Sequence, residues 1–465
     1  MAWQEIPIKN KIFQNVAESA LGTLNAFIEN CYVTYTGGIA RFPRLNKKVE
    51  LVGDAPTFLE EWRGDLVATS GGLIYRIDPS SYVATDVTGV AVSGPGRTVF
   101  AKTEDELLMA AGRSIVSLAG SRTTLLSEEA PESTHVGFVS GYVIAIEPRS
   151  GRFKISQPGQ YTVWDDLDVF SAEGNTDNIN ALLVSDFGEL LLAGPDSIEQ
   201  FDAAPSGVRP FFKRWGLGTG LYAPYTILSV DNRIWGLSER LEWVAFSSQI
   251  GTPASDDIQN ALEAIDNFDD AWAVELPIKG QRFMIIQCPY ATNRYGTEGI
   301  TLLYDYKKRR WGNLFGWDVA RSLPTKWEGW SYKQVGSKKF VGGNGCVYEL
   351  DEFSGSTPQK MLWRSGHISR PGNQPFRINS SSMRIERGAS AVGATVPQLS
   401  VRVNKNNMGF GKWVRGSLGR AGDRHMTLNF PAMGDCDSVQ FEIQVTDDGP
   451  IEIASFGMDV TNLKR

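Results

Sequence analysis

The sequence predicts an all-β chain, a β-propeller of six or seven blades with an additional β-sandwich or platform domain, and three observations lead there. A strand-turn-strand unit returns with first strands starting near residues 66, 107, 143, 190, 234, 283 and 340, a spacing of 36 to 57 residues. From about residue 358 that period stops, and segments that alternate apolar and polar residues take over. The composition, with 48 Gly, 22 Pro, 13 Trp, 23 Phe and 21% charged residues, supplies turns and large hydrophobic faces.

The units can be read in order. The first pairs Leu66-Val67-Ala68-Thr69 with Leu73-Ile74-Tyr75-Arg76-Ile77 across Gly71-Gly72. The second runs from Leu107 through Gly112 to Leu118, and the third from Tyr142 through Gly151 to Ser156. The fourth, Leu190-Leu191-Leu192-Ala193 to Ile198-Glu199-Gln200-Phe201, turns at Gly194-Pro195-Asp196. Arg233 to Phe246, Phe283 to Asp305 and Lys339 to Asp351 complete the series. Each unit is too small to bury its own faces, and a period of roughly 40 to 50 residues with Gly-containing turns is that of blades that bury theirs against two neighbours. A β-sandwich also shows short strands and regular turns, but seven hairpins of similar shape favour a propeller over residues 51–357.

Between the fifth and sixth units the pattern changes to a helical insertion at 253–268. Ser255 stands at the start, Asp256 and Asp257 occupy the first turn where carboxylates suit the helix dipole, and Ile258, Leu262 and Ile265 make one apolar face. After residue 358, half-buried strands are expected at 383–386, 399–403, 426–430, 439–445 and 451–456, which make a platform domain over 358–465. Residues 1–50 are expected to join that platform.

Charge and motifs narrow the function. A formal charge of −7 argues against a nucleic-acid binder that gathers cations to displace counterions. Lys307-Lys308-Arg309-Arg310 is the one basic run, read as a blade turn; Arg402, Lys405, Lys412, Arg415, Arg420 and Arg424 form a looser cluster. Cys31, Cys288, Cys346 and Cys436 form no CxxC pair and are expected as buried free thiols, while His135, His367 and His425 are too scattered for a multi-His metal site. No apolar run approaches a membrane span and no signal peptide is indicated, so synthesis in a cytoplasm is expected.

Candidate chemistry is sparse. Gly411-Lys412 lacks the upstream Gly of a phosphate-binding loop, and Gly216-Leu217-Gly218-Thr219-Gly220-Leu221 lacks the third Gly in register and follows no βαβ pattern, so it reads as a flexible connection. There is no GxSxG or HExxH. Asp165-Asp166-Leu167-Asp168 and Asp266-Asn267-Phe268-Asp269-Asp270 lack the Gly and closing Glu of calcium loops. Ser229-Val230-Asp231-Asn232-Arg233-Ile234-Trp235 resembles a sialidase Asp-box turn, with Arg233 where that turn needs Gly. Arg63-Gly64-Asp65 reads as a tight turn rather than an adhesive tripeptide. No catalytic, cofactor-binding or metal-ligating residue is assigned.

One order of elements resembles a known family. A helix, then Phe283-Met284-Ile285-Ile286-Gln287-Cys288-Pro289, then Thr301-Leu302-Leu303-Tyr304-Asp305 and Trp311, is similar to the tail hub or nozzle proteins of short-tailed bacteriophages, the packaged-DNA stabilisation proteins. Leu192 to Phe201, with its Ser197-Ile198-Glu199 turn, and Tyr32 to Pro43, where Gly37-Gly38 leads to Arg41 and Pro43, resemble further segments of that family. The likeness spans about residues 30 to 460; the loops 251–276 and 290–299 depart from the enterobacterial members.

The resemblance implies a virion structural protein and no enzyme. Six copies would form a ring below the portal, meet an adaptor or head-completion protein through the platform, and carry tail fibres, spikes or a needle. The ring would retain packaged double-stranded DNA and then pass it without sequence-specific binding. Six chains at −7 carry −42, and a lumen of that sign would let phosphate slide. Two other classes stay open: a propeller enzyme such as a glycosidase, with paired carboxylates about 5 to 9 Å apart, and a monomeric propeller binding module.

Overall fold

In the computed structural model the described residues are 2–5, 27–172, 177–204, 210–247, 251–370, 374–387, 397–419, 426–447 and 449–463. Seven successive units form a seven-bladed propeller. Blade one is Thr57–Trp62, Asp65–Ser70, Leu73–Ile77 and Ala84–Asp86. Blades two to five repeat this antiparallel meander from Val99–Lys102, Val136–Val139, Ala181–Val184 and Leu228–Val230 as their first strands. Blade six is Trp272–Ile278, Gln281–Thr292, Glu298–Asp305 and Arg310–Asn313. Blade seven takes three strands from the far end of the propeller, Ser331–Val335, Lys338–Gly342 and Cys346–Asp351, and its outermost strand, Arg44–Glu50, from the near end.

The apolar runs follow from burial on both faces. In blade two, Leu107 and Met109 pack with Val67 and Ile74 of blade one, whereas Leu108 and Ala110 pack with Val143 and Ala145 of blade three. In blade four, Leu190 and Leu192 face blade three while Leu191 and Ala193 face blade five. Alternate side chains point to opposite faces of a strand, so a strand sandwiched between two blades needs apolar residues at every position. The ring closes where Thr57 N donates to Gly343 O at 2.9 Å and Ser331 Oγ to Thr57 O at 2.8 Å.

Apart from a two-stranded hairpin, Phe315–Asp318 with Leu323–Lys326, the remaining strands make two sheets packed face to face. One has the order Cys31–Val33, Ile39–Arg41, Ile451–Asn462, Phe376–Arg387, Met426–Phe430, with Ala2–Glu5 also on Ile451–Asn462. The other continues blade six: Arg310–Asn313 pairs in parallel with Phe27–Glu29, and Met361–Arg364, Ser438–Val445, Gln398–Lys405 and Val414–Ser417 follow in a ten-stranded sheet. Between the sheets Phe441 meets Phe456 edge to face at 4.8 Å, beside Trp363, Met383 and Met458. On the other side of this sheet the buried Glu442 carboxylate accepts from Arg364 Nε and Arg402 Nε, each at 2.7 Å. Both guanidiniums lie over the Phe410 ring at 4.8 Å.

Two expectations need correction. The segment 1–50 divides: its strands between Phe27 and Arg41 pair with the platform, but Arg44–Glu50 belongs to the propeller, because blade seven otherwise lacks a fourth strand. The helical insertion expected over 253–268 is a 3-10 turn, Asp256–Ile258, and a five-residue helix, Gln259–Glu263. Ser255 does not cap it; its hydroxyl instead accepts from Trp243 N at 3.0 Å. Asp266 ends the insertion by accepting from Thr292 N of blade six at 2.8 Å. Ile258, Leu262 and Ile265 are buried against the propeller flank. Among the described residues, no helix is long and apolar enough to cross a membrane.

Candidate functional sites on the propeller

In a four-stranded antiparallel blade the first and third turns share one end, and the second turn shares the other end with the loops between blades. At the inter-blade end the axis is filled. Arg97, only 8% exposed, donates to Trp330 O, and its guanidinium lies 4.7 Å from the Phe58 ring centroid, 5.0 Å from Trp272 and 5.8 Å from Tyr225. These side chains belong to blades one, two, five, six and seven or to the loops entering them, so they can meet only at the centre. Gly94 permits the approach: its φ is +145° and a Cβ there would lie 1.9 Å from Ala111 O. Burial pulls the Arg97 guanidinium down to about 10, partly offset by Tyr225 and Asp270, which leaves it charged at neutral pH.

His135, entering blade three, stacks on Tyr225 at 5.1 Å, with Nδ1 3.1 Å from Thr134 Oγ1. Burial lowers its pKa from 6.5 to about 4. The unfolded chain therefore takes up this proton first, so folding stability falls as pH drops from about 6.5 and levels off below about 4. The full loss is about 3 kcal/mol. Urea melts across this range are expected to show a shallower decline for His135→Asn than for the natural chain; parallel curves would refute the assignment.

At the opposite end two segments singled out in the sequence come together. Asp231 and Asn232, with φ of 53° and 61°, form the tight turn that opens blade five and present Arg233. The basic run forms the third turn of blade six, where Arg309 has φ 51°. Between them lies a cavity of about 330 Å³, walled by Trp235, Tyr304 and Tyr306 and rimmed by Asp231, Arg233, Lys307 and Arg309. The Trp235 ring is 6.0 Å from Tyr304 and 6.3 Å from Tyr306. Trp235 is 4% exposed, and neither its Nε1 nor the Tyr306 hydroxyl has a hydrogen-bond partner. Burial pushes the Tyr306 phenol up to about 12. Asp231 lies 3.8 Å from Arg282, which also pairs with Glu275. Arg233, Lys307 and Arg309 make no ion pair among the described residues. Lys308 points away, donating to Thr34 O and lying 5.0 Å from the Tyr35 ring.

The other sequence features do not converge. Cys31, Cys288, Cys346 and Cys436 are buried and unpaired, and burial raises each thiol. His425, Arg420 and Arg424 lie outside the described residues; Arg402 is held by Glu442, Lys405 donates to Met433 O at 2.8 Å, and Lys412 and Arg415 are exposed. Arg63 donates to Asp105 O at 3.0 Å, so its tripeptide is an engaged turn. Asp166 pairs with Lys154 at 2.9 Å. Of the segment 216–221, Gly216 and Leu217 end the fourth strand of blade four, and Gly220 is packed, where a Cβ would lie 2.1 Å from the Pro195 carbonyl carbon. Arg97 and Glu442 went unnoticed in the sequence; the only local signal at the first is Gly94-Pro95-Gly96 before an Arg.

No protein-family model matches the chain, and no curated protein matches it. Among solved structures, the extracellular domain of a putative one-component system from B. thetaiotaomicron aligns with a TM-score of 0.40 at 10% identity. The alignment covers 86% of this chain and 61% of that one, so the chain spans less than two thirds of its length.

Proposed function

We propose that the chain is a structural component of a virion, the hub or nozzle of a short phage tail. It would act as a ring that holds packaged DNA and carries it outward on ejection. The resemblance over residues 30 to 460 suggests the role. The observation that carries it is the ten-stranded sheet, in which blade six passes edge to edge into the platform with no linker between them. A load-bearing ring needs protomers that transmit force as one body, and a continuous hydrogen-bonded sheet is stiffer than two domains joined by a flexible tether.

The filled axis supports one DNA path in this reading. Arg97 and the rings around it occupy the centre of the propeller, so the conduit of such an assembly lies between copies and not through a propeller. In this reading the platform meets an adaptor below the portal, and exposed blade edges receive fibres or spikes. Native mass spectrometry is the test: mixed with portal and adaptor, the 51.2 kDa chain is expected to be taken up in six copies. A chain that stays a free monomer in that mixture would overturn the reading.

A further inference from the structure

We propose that the cavity between blades five and six binds a sugar-sized organic anion. Its phosphate or carboxylate would be held by Arg233, Lys307 and Arg309, and its ring would lie against Trp235, Tyr304 and Tyr306. The first support is the aromatic wall: the Trp235 ring lies 6.0 Å from Tyr304 and 6.3 Å from Tyr306, and all three line the cavity. Such rings offer large apolar faces to a bound molecule.

The second support is charge. On a chain of net charge −7, three cations converge on one rim. The single carboxylate among the rim residues, Asp231, is drawn toward Arg282. Gathering like charges this way is unfavourable without an anion between them, and guanidiniums suit the planar, two-pronged recognition of carboxylate and phosphate. The third support is size and wall chemistry. About 330 Å³ lies within the range of small-molecule sites and exceeds what a bare oxyanion fills. Aromatic walls with polar edges suit a hydroxylated ring. None of this depends on the role proposed for the whole chain.

Calorimetric titration of the intact chain with four probes tests the inference: glucose 6-phosphate, glucuronate, glucose and inorganic phosphate. At least one of the two sugar anions is expected to bind with a Kd below about 1 mM, and glucose not measurably at about 10 mM. Which anion binds separates a phosphate from a carboxylate ligand. The double variant Arg233→Gln/Arg309→Gln is expected to weaken binding at least about tenfold. The proposal fails if neither sugar anion binds at about 10 mM. It fails equally if inorganic phosphate binds as tightly as the sugar anions, or if the double variant keeps its affinity.

Discussion

Glu442→Gln is expected to lower the unfolding free energy by about 3–5 kcal/mol, the usual cost of removing one partner from a buried ion pair. The Glu442 side chain is 1% exposed, and each oxygen serves one guanidinium, Oε2 for Arg364 and Oε1 for Arg402. A glutamine keeps one acceptor and turns an NH2 donor toward the other guanidinium, so one guanidinium loses its bond to this side chain and both lose the charge of the Glu442 carboxylate. The two guanidiniums cannot swing into water cheaply. Arg364 is held between Phe27 at 4.3 Å and Phe410 at 4.8 Å, and Arg402 between Phe410 and Trp413, the latter at 4.4 Å. Urea denaturation would measure the loss. A change under about 1 kcal/mol would mean that the carboxylate is dispensable. Replacing all three charges by apolar residues of similar volume is expected to cost far less than Glu442→Gln, because no charge is then stranded.

Phe340→Ala is expected to cost about 3–5 kcal/mol as well, through a cavity at the seam of the propeller. Phe340 is fully buried in the cluster that joins blade seven to blade one, with Leu66, Ala68, Val49 and Val347. Phe153→Ala empties an equally buried site between blades three and four. The two variants should differ in how they open. The seam is held by a strand from the opposite end of the propeller sequence, so hydrogen exchange in Phe340→Ala should rise first at 44–50 and 57–62, whereas Phe153→Ala should show no local preference for that strand. Equal exchange patterns in the two variants would refute a weak seam.

What could be read in the sequence was what repeats locally. Leu107 to Leu118 and Leu190 to Phe201 announce themselves because both faces of each strand are buried within one hairpin of its neighbour. The platform strands at 399–403 and 439–445 were visible for a different local reason, their alternation. Partners far apart in sequence were not visible. Leu45 pairs with Leu350, and Glu29 lies beside Asn313, yet nothing near either residue marks the partner. The observed helix is shorter than the expected one because apolar spacing at 258, 262 and 265 fits a helix whether or not the backbone continues, while Ser255 and Asp266 give their side chains to blades five and six. At the cavity the two halves were each seen, Asp231 to Trp235 and Lys307 to Arg310, and each alone reads as a turn. Their meaning arises only where neighbouring blades bring them to one rim.

The route of the chain also sets a timetable for its synthesis. Ile39–Arg41 must wait for Ile451–Asn462 before it has a partner on its outer side, and Phe27–Glu29 waits for both Arg310–Asn313 and Met361–Arg364. At about 5–20 residues per second, the roughly 400 residues between the first pair take the ribosome about 20–80 s. Blades one to six can assemble as they emerge, blade seven seals once residue 351 is out, and the platform is completed last. During that interval the early strands offer unpaired edges to any other nascent chain, so ribosome stalling before residue 451 would leave a closed propeller trailing a sticky, half-built platform.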